Sequence, residues 1–133
     1  MERYLVDTNV LISHLRGFSP ASTFLLEADG LIISYVTLAE LMQGTSNKDE
    51  MERVKKLIKP FPLHWGSETI NRRALEFVEQ FHLSHTAQAL DMFIAATALT
   101  THLPLLTDNI KDFQFIPGLT VQKPPYEHSP KAA

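Results

Sequence analysis

Three acidic side chains stand alone in otherwise uncharged stretches of this chain. Asp7 is the only charged residue from Tyr4 to Leu15, Glu40 the only one from Gly30 to Asn47, and Asp91 the only one from Gln80 to Thr107. Those windows hold 58 residues and three charges, where a chain that is 20% charged overall would place about 12. A buried carboxylate without a partner is costly when ionised, or it stays protonated. Three of them in apolar surroundings ask for a shared cation, so the chemistry they point to is that of a metal site. Hard cations such as Mg2+ or Mn2+ take oxygen ligands, keep several waters and accept phosphate into the shell. Without a cation the carboxylates raise one another's pKa values, and binding an ion relieves that repulsion.

The elements that must carry these acids are short. Tyr4-Leu5-Val6 reads as a buried strand, followed by a helix that Thr8 or Asn9 caps and that runs to about Leu15. Gly17 to Pro20 predicts a turn, with Pro20 opening a second helix through Ala28. After the Asp29-Gly30 turn, Leu31 to Ser34 predicts another strand, and Val36 to Gln43 a helix that stops near Gly44. Lys48 to Lys59 is amphipathic, and Phe61, Leu63 and Trp65 predict a short strand between breaks at Pro60 and Pro62. Ser67 caps a helix to about Phe81, and Gln88 to Thr101 is apolar all round, the mark of a covered helix. Strands are expected at Leu103–Leu106 and Leu119–Val121. The expected fold class is α/β, with a mainly parallel central sheet of about four to five short strands covered by helices on both faces. It occupies residues 1–122, and the proline-containing stretch 123–133 is expected to be a flexible C-terminal tail.

The acids differ in their settings. Asp7 directly follows a strand, and functional groups gather beyond the carboxyl ends of strands in open parallel sheets. The plainer reading of Asp7 is a helix cap. Asp91 shares a helix face with Ala87, Ile94, Ala95 and Ala98, so it does not simply point into water. Glu40 falls almost opposite the apolar side made by Tyr35, Leu38, Leu41 and Met42, and periodicity alone puts it in solvent. A fourth acidic corner is expected in Thr107-Asp108-Asn109-Ile110-Lys111-Asp112-Phe113, just past the Leu103–Leu106 strand, with an ordinary turn as the alternative.

Composition narrows the field. The 133 residues suit one domain. There is no cysteine, which excludes disulfide, zinc-thiolate and thiol redox chemistry and is compatible with a reducing compartment. No apolar run approaches the roughly 20 residues that span a bilayer, and Met1-Glu2-Arg3-Tyr4 is not a signal peptide, so cytoplasmic residence is expected. A net charge of -3 excludes a nucleic-acid binder held by phosphate neutralisation alone. Arg53, Lys55, Lys56 and Lys59 read as a solvated helix face or, alternatively, as a phosphate-binding patch. His82 and His85 have helical ligand spacing but no third ligand nearby, which argues against zinc.

These residues, in this order, resemble the PIN-domain ribonucleases, and within them the VapC-type toxins of prokaryotic toxin–antitoxin pairs. Tyr4 to Ile12 is similar to the family's opening strand and first acid, and Thr37-Leu38-Ala39-Glu40-Leu41 to its second-acid helix. Leu90 to Ala98 is similar to its third-acid helix, and Leu106-Thr107-Asp108-Asn109 with Asp112-Phe113 to its last motif. The likeness spans residues 4 to about 121, and four motifs in order are far more specific than any one of them. It implies an endoribonuclease dependent on Mg2+ or Mn2+, inhibited by a cognate VapB-like antitoxin and usually a homodimer, with RNA as substrate and no membrane partner. Asp7, Glu40 and Asp91 carry over as catalytic metal ligands, with Asp108 as the fourth. The family position falls nearest Asn109, with Asp108 beside it and Asp112 one turn on, so which of these supplies the corner stays open. Thr8, Thr107 and Asn109 match supporting positions.

Two other classes compete. Asp7 after a buried strand also suits phosphoaspartate chemistry, as in a phosphatase or receiver domain, but position 9 is asparagine and Lys111 is a poor substitute for the lysine such sites need. A catalytically degenerate domain of the same fold, binding only RNA or a protein, is kept alive by Asn109.

Overall fold

The computed structural model describes residues 2–127. Five strands form one sheet: β1 (Tyr4–Val6), β2 (Leu31–Ser34), β3 (Leu63–His64), β4 (Leu105–Leu106) and β5 (Val121–Gln122). Their order is β3-β2-β1-β4-β5, and every pairing is parallel. Six helices connect them among the described residues: α1 (Thr8–Leu15), α2 (Ser19–Glu27), α3 (Tyr35–Gln43), α4 (Lys48–Ile58), α5 (Glu68–His85) and α6 (Ala89–Thr101).

Alternation along the strands explains how the sheet is covered. On β1, Leu5 joins a core with Met92, Ile94, Ala95 and Phe113, while Val6 joins a second core with Val10, Leu25, Val54 and Ile58. Leu105 and Leu106 on β4 divide between the same two cores. Successive side chains point to opposite faces, so both faces are buried and the strands read as continuous apolar runs. The apolar α6 is explained by the same layering, since Met92 and Ile94 through Ala98 are all buried.

The departures are local. The helix expected to stop at Phe81 continues to His85, where Thr86 takes a left-handed conformation (φ 54°) in place of the usual glycine. The strand expected over Phe61–Trp65 shrinks to Leu63–His64, because Phe61 turns into the second core and Trp65 turns outward. Of the expected tail, Tyr126 packs between Phe18 and Phe24 of the α2 region, and residues 128–133 lie outside the described residues. His82 and His85 are also occupied elsewhere: His82 Nδ1 is 3.0 Å from the Ala87 carbonyl, and His85 stacks on Phe115.

One glycine is irreplaceable for reasons of space as well as conformation. Gly30 has φ +79°, and a Cβ there would lie 2.6 Å from the Glu2 carbonyl oxygen. Gly30→Ala is expected to cost about 2 kcal/mol in urea unfolding, by strain at the turn that leads into β2. An unchanged midpoint would show that this turn is not rigid.

Candidate active site

The sheet register gathers the expected residues at one edge. Extended past the strand ends, it sets His64, Ser34, Asp7 and Thr107 in a row across β3, β2, β1 and β4. Central β1 therefore delivers Asp7 to the middle of the carboxyl edge.

Asp7 is only 5% exposed and sits at the head of α1. Its Oδ1 accepts from the Thr8 amide at 2.8 Å and its Oδ2 from the Thr107 hydroxyl at 2.8 Å. The cap reading of Asp7 is thus correct as far as it goes, yet capping does not explain its electrostatics. Burial pushes its pKa up to about 6, against the lowering effect of Thr107 and Thr8, and the charges of Glu40 and Asp112 push it further.

Glu40 does not lie in solvent as its helix periodicity suggests. It is half-buried, and its Oε1 accepts from the Thr8 hydroxyl at 2.8 Å. The reason is that α3 packs against α1, α4, α6 and β2, so the side opposite its apolar stripe faces protein. Thr37, fully buried, stands 3.2 Å from the same Thr8 hydroxyl and completes this arrangement.

Asp91 lies half-buried in the first turn of α6, where the helix N-terminus favours negative charge. No hydrogen-bond donor reaches its carboxylate among the described residues. Burial raises its pKa to about 7, and the charges of Asp7, Asp112 and Glu40 add to the rise.

At the fourth corner the structure separates three neighbours. Asp108 donates its backbone N–H to Asn9 Oδ1 at 3.2 Å, while its carboxylate charge acts on Tyr126, whose hydroxyl burial and Asp108 together push to about 12. Asn109 donates from its side chain to Asp112 Oδ2 at 2.6 Å, and its own N–H donates to Thr107 Oγ1 at 3.0 Å. It is Asp112, on the single 3-10 turn Ile110–Asp112, whose charge acts on Asp7 and Asp91. Of the three, Asp112 is the one whose charge raises the pKa values of Asp7 and Asp91, and its carboxylate accepts from Asn109.

Thr107 is the hub. Fully buried, it donates to Asp7 and accepts from the Asn9 side chain (3.2 Å) and the Asn109 amide. Asn9, read from sequence only as a cap, ties the head of α1 to the end of β4 through both of its amide atoms. The signal available for it was its place two residues after Asp7.

Among the described residues, the charges acting on Asp7 and Asp91 are those of Asp7, Glu40 and Asp112, all acidic. This all-oxygen, all-negative set suits a hard divalent cation. Among the described residues, no three His, Asp or Glu side chains already converge closely enough to hold an ion, since Asp7 and Glu40 are bonded to Thr8 and Thr107. Beside Glu40 a groove of about 350 Å³ runs between α1, α3 and α4, with Leu15, Leu41 and Val54 in its wall and Arg16 and Arg53 along it. Arg53 donates to the Leu15 carbonyl at 2.7 Å and so closes the end of α1, a structural duty that the basic-cluster readings did not include.

A five-stranded parallel sheet with acids grouped at its carboxyl edge defines the class: the sequence profile of the PIN domain matches residues 4–117, and the chain belongs to that family. Within it, the chain is similar to Ribonuclease VapC10 of Mycobacterium tuberculosis, 39% identical over 135 residues that cover 96% of this chain and 98% of the relative. A toxin–antitoxin complex from Klebsiella pneumoniae contains a chain 31% identical to this one, with TM-score 0.75 and coverage of 94% and 99%. The DNA-bound VapBC of Salmonella typhimurium, at 22% identity and TM-score 0.76, covers 92% of this chain and 98% of its own, and shares the fold. No helix among the described residues is long and apolar enough to cross a membrane.

Proposed function

We propose that this protein is a cytoplasmic, metal-dependent endoribonuclease of the VapC kind, homodimeric and held in check by a small VapB-like antitoxin. The observation that carries the reading is the acidic group around Asp7: among the described residues, the charges that act on Asp7 and Asp91 are those of Glu40, Asp112 and, for Asp91, Asp7 itself. Asp7, Asp91 and Asp112 would hold Mg2+ or Mn2+, with Glu40 at its margin. Such an ion, when bound, supplies Lewis acidity toward a phosphodiester oxygen and lowers the pKa of a water.

The chain's own residues do the rest. Thr107 and the Thr8 amide hold both oxygens of Asp7 in one orientation, which limits how it can present a lone pair. Thr8 donates to Glu40 and holds it at the edge of the site, where Glu40 would take the proton of the attacking water. Asp112, whose charge acts on Asp7 and Asp91, would supply the charge that Asn109 lacks, which favours the catalytic reading over the degenerate one. The names of the relatives, ribonucleases and toxin–antitoxin complexes, favour RNA and an antitoxin over phosphoaspartate chemistry.

Purified protein is expected to cut single-stranded RNA with Mn2+ and to stop on addition of EDTA. Calorimetry should show Mn2+ binding to the wild type and none to Asp7→Asn. RNA left intact under all divalent ions, or Mn2+ binding that survives Asp7→Asn, would overturn the reading. Co-expression with the product of an adjacent small gene should relieve growth arrest if the antitoxin assignment is right.

A further inference from the structure

Trp65 is the only tryptophan in the chain, and it is 72% exposed. Single exposed aliphatics are ordinary on a protein surface, but a tryptophan spread on water needs a reason. Its ring lies parallel to that of Tyr35, with centroids 6.2 Å apart and planes 15° apart. Tyr35 is itself half-buried and flanks the indole in an offset stack, while most of the Trp65 surface stays open to solvent.

The turn that presents Trp65 is built for the purpose. Gly66 adopts φ +85° and donates its N–H to His64 Nδ1 at 3.0 Å. A Cβ at position 66 would come within 3.2 Å of the Tyr35 ring, so the glycine lets the turn close against that ring. Topology gives its location. Ser34 and His64 are level with Asp7 in the sheet, and Tyr35 and Trp65 each come one residue later, just past the ends of β2 and β3. Two strand spacings set the end of β3, which Trp65 follows, about 10 Å sideways from Asp7 along the same carboxyl edge.

We propose that the Tyr35–Trp65 pair is a stacking platform for an unpaired RNA base a nucleotide or two from the scissile bond. The proposal rests on the ribonuclease reading and adds to it a substrate-binding residue. Charge argues for this occupant. The protein carries a net charge of -3 and its site is acidic, so phosphate neutralisation gives little affinity. Base–aromatic stacking needs no positive charge, and it selects single strands because only an unpaired base offers its face.

The sole tryptophan makes the test direct. Full-length Asp91→Asn protein, which should bind without cutting, is titrated with a mixed-sequence single-stranded oligoribonucleotide and with the same strand annealed to its complement. Saturable quenching by the single strand and little by the duplex is expected. In the same background, Trp65→Ala should weaken binding of labelled single strand about tenfold by anisotropy, while Trp65→Tyr keeps most of it. In the active protein, Trp65→Ala should raise KM for RNA by about the same factor and leave kcat nearly unchanged. Unquenched fluorescence with an unchanged KM overturns the proposal. So does a Trp65→Ala protein that loses its dimer in sedimentation but keeps its RNA affinity, which would assign the face to a second copy of the chain. Wild-type protein that binds and quenches without cutting RNA would instead fail the ribonuclease reading and leave the platform standing.

Discussion

Asp91→Asn is expected to reduce RNA cleavage about a thousandfold and, at the same time, to make the ion-free protein more stable at neutral pH. Both effects come from one carboxylate. The folded protein holds Asp91 with a pKa near 7, whereas the unfolded chain returns it to 3.8. The native state therefore binds this proton more tightly, and the stability it contributes is complete below pH 3.8 and lost as pH rises through about 7. At pH 7.5 without a metal ion, the charge sits half-buried among acids with no donor. Asparagine removes that charge at nearly the same volume. After discounting for solvent screening of a partly exposed group, the gain is about 1–2 kcal/mol, or a rise of about 4 °C or more in Tm. Calorimetric melts in EDTA at pH 7.5 and pH 4 check it, since the two proteins should differ at the first and converge at the second. A mutant less stable than wild type at pH 7.5 would mean that Asp91 has a structural partner.

Thr107→Val should be the most damaging single change outside the carboxylates. The substitution keeps shape and removes a hydroxyl that is fully buried and makes three hydrogen bonds. It leaves an Asp7 oxygen, the Asn9 amide and the Asn109 N–H without that partner, and buried unsatisfied groups cost about 1–3 kcal/mol each. Solvent reaches Asn9 and Asn109 in part, so the net loss expected in urea unfolding is about 3 kcal/mol. Cleavage should fall about 10- to 100-fold, the usual effect of removing a group that orients a ligand. Thr107 also lowers the pKa of Asp7, so its loss moves that pKa above 6 and shifts the acid limb of the pH–rate profile upward. Thr107→Ser, which keeps the hydroxyl, should restore most of both. A Thr107→Val protein with an unmoved acid limb would show that Asp7 does not set it.

Some of this was legible in the chain and some was not, for physical reasons. Asp7 and Asp91 could be found by charge isolation, because a covered helix and a buried strand both exclude other charges. The layering was equally plain in the uninterrupted apolar runs of Leu31–Ile33 and Ile94–Ala96. Glu40 escaped periodicity, since a hydrophobic stripe records one contact face and α3 has several. Its isolation from other charges was a hint, and resemblance to a family mainly brought it in. The fourth corner stayed open between Asp108, Asn109 and Asp112, because the place of Asp112 depends on one side-chain bond from Asn109 and a single 3-10 turn, neither of which leaves a periodic trace. The left-handed residues that end α5 and α6 are Thr86 and His102, and nothing in their types marks a helix stop. Trp65 was expected to lie in a strand, and its outward turn depends on Gly66 and Tyr35 acting together.

The bond between Thr107 and Asp7 joins residues 100 positions apart. Every fragment that ends before β4 lacks the hydroxyl that orients Asp7, however many of the acids it carries. Translation runs at about 5–20 residues per second, so a growing chain spends most of its synthesis unable to assemble the site. A ribosome that stalls midway, or a gene truncated upstream of β4, releases a chemically silent product. In a cell that must survive making such an enzyme, the wiring of the sheet sets a delay within which an inhibitor can already be waiting.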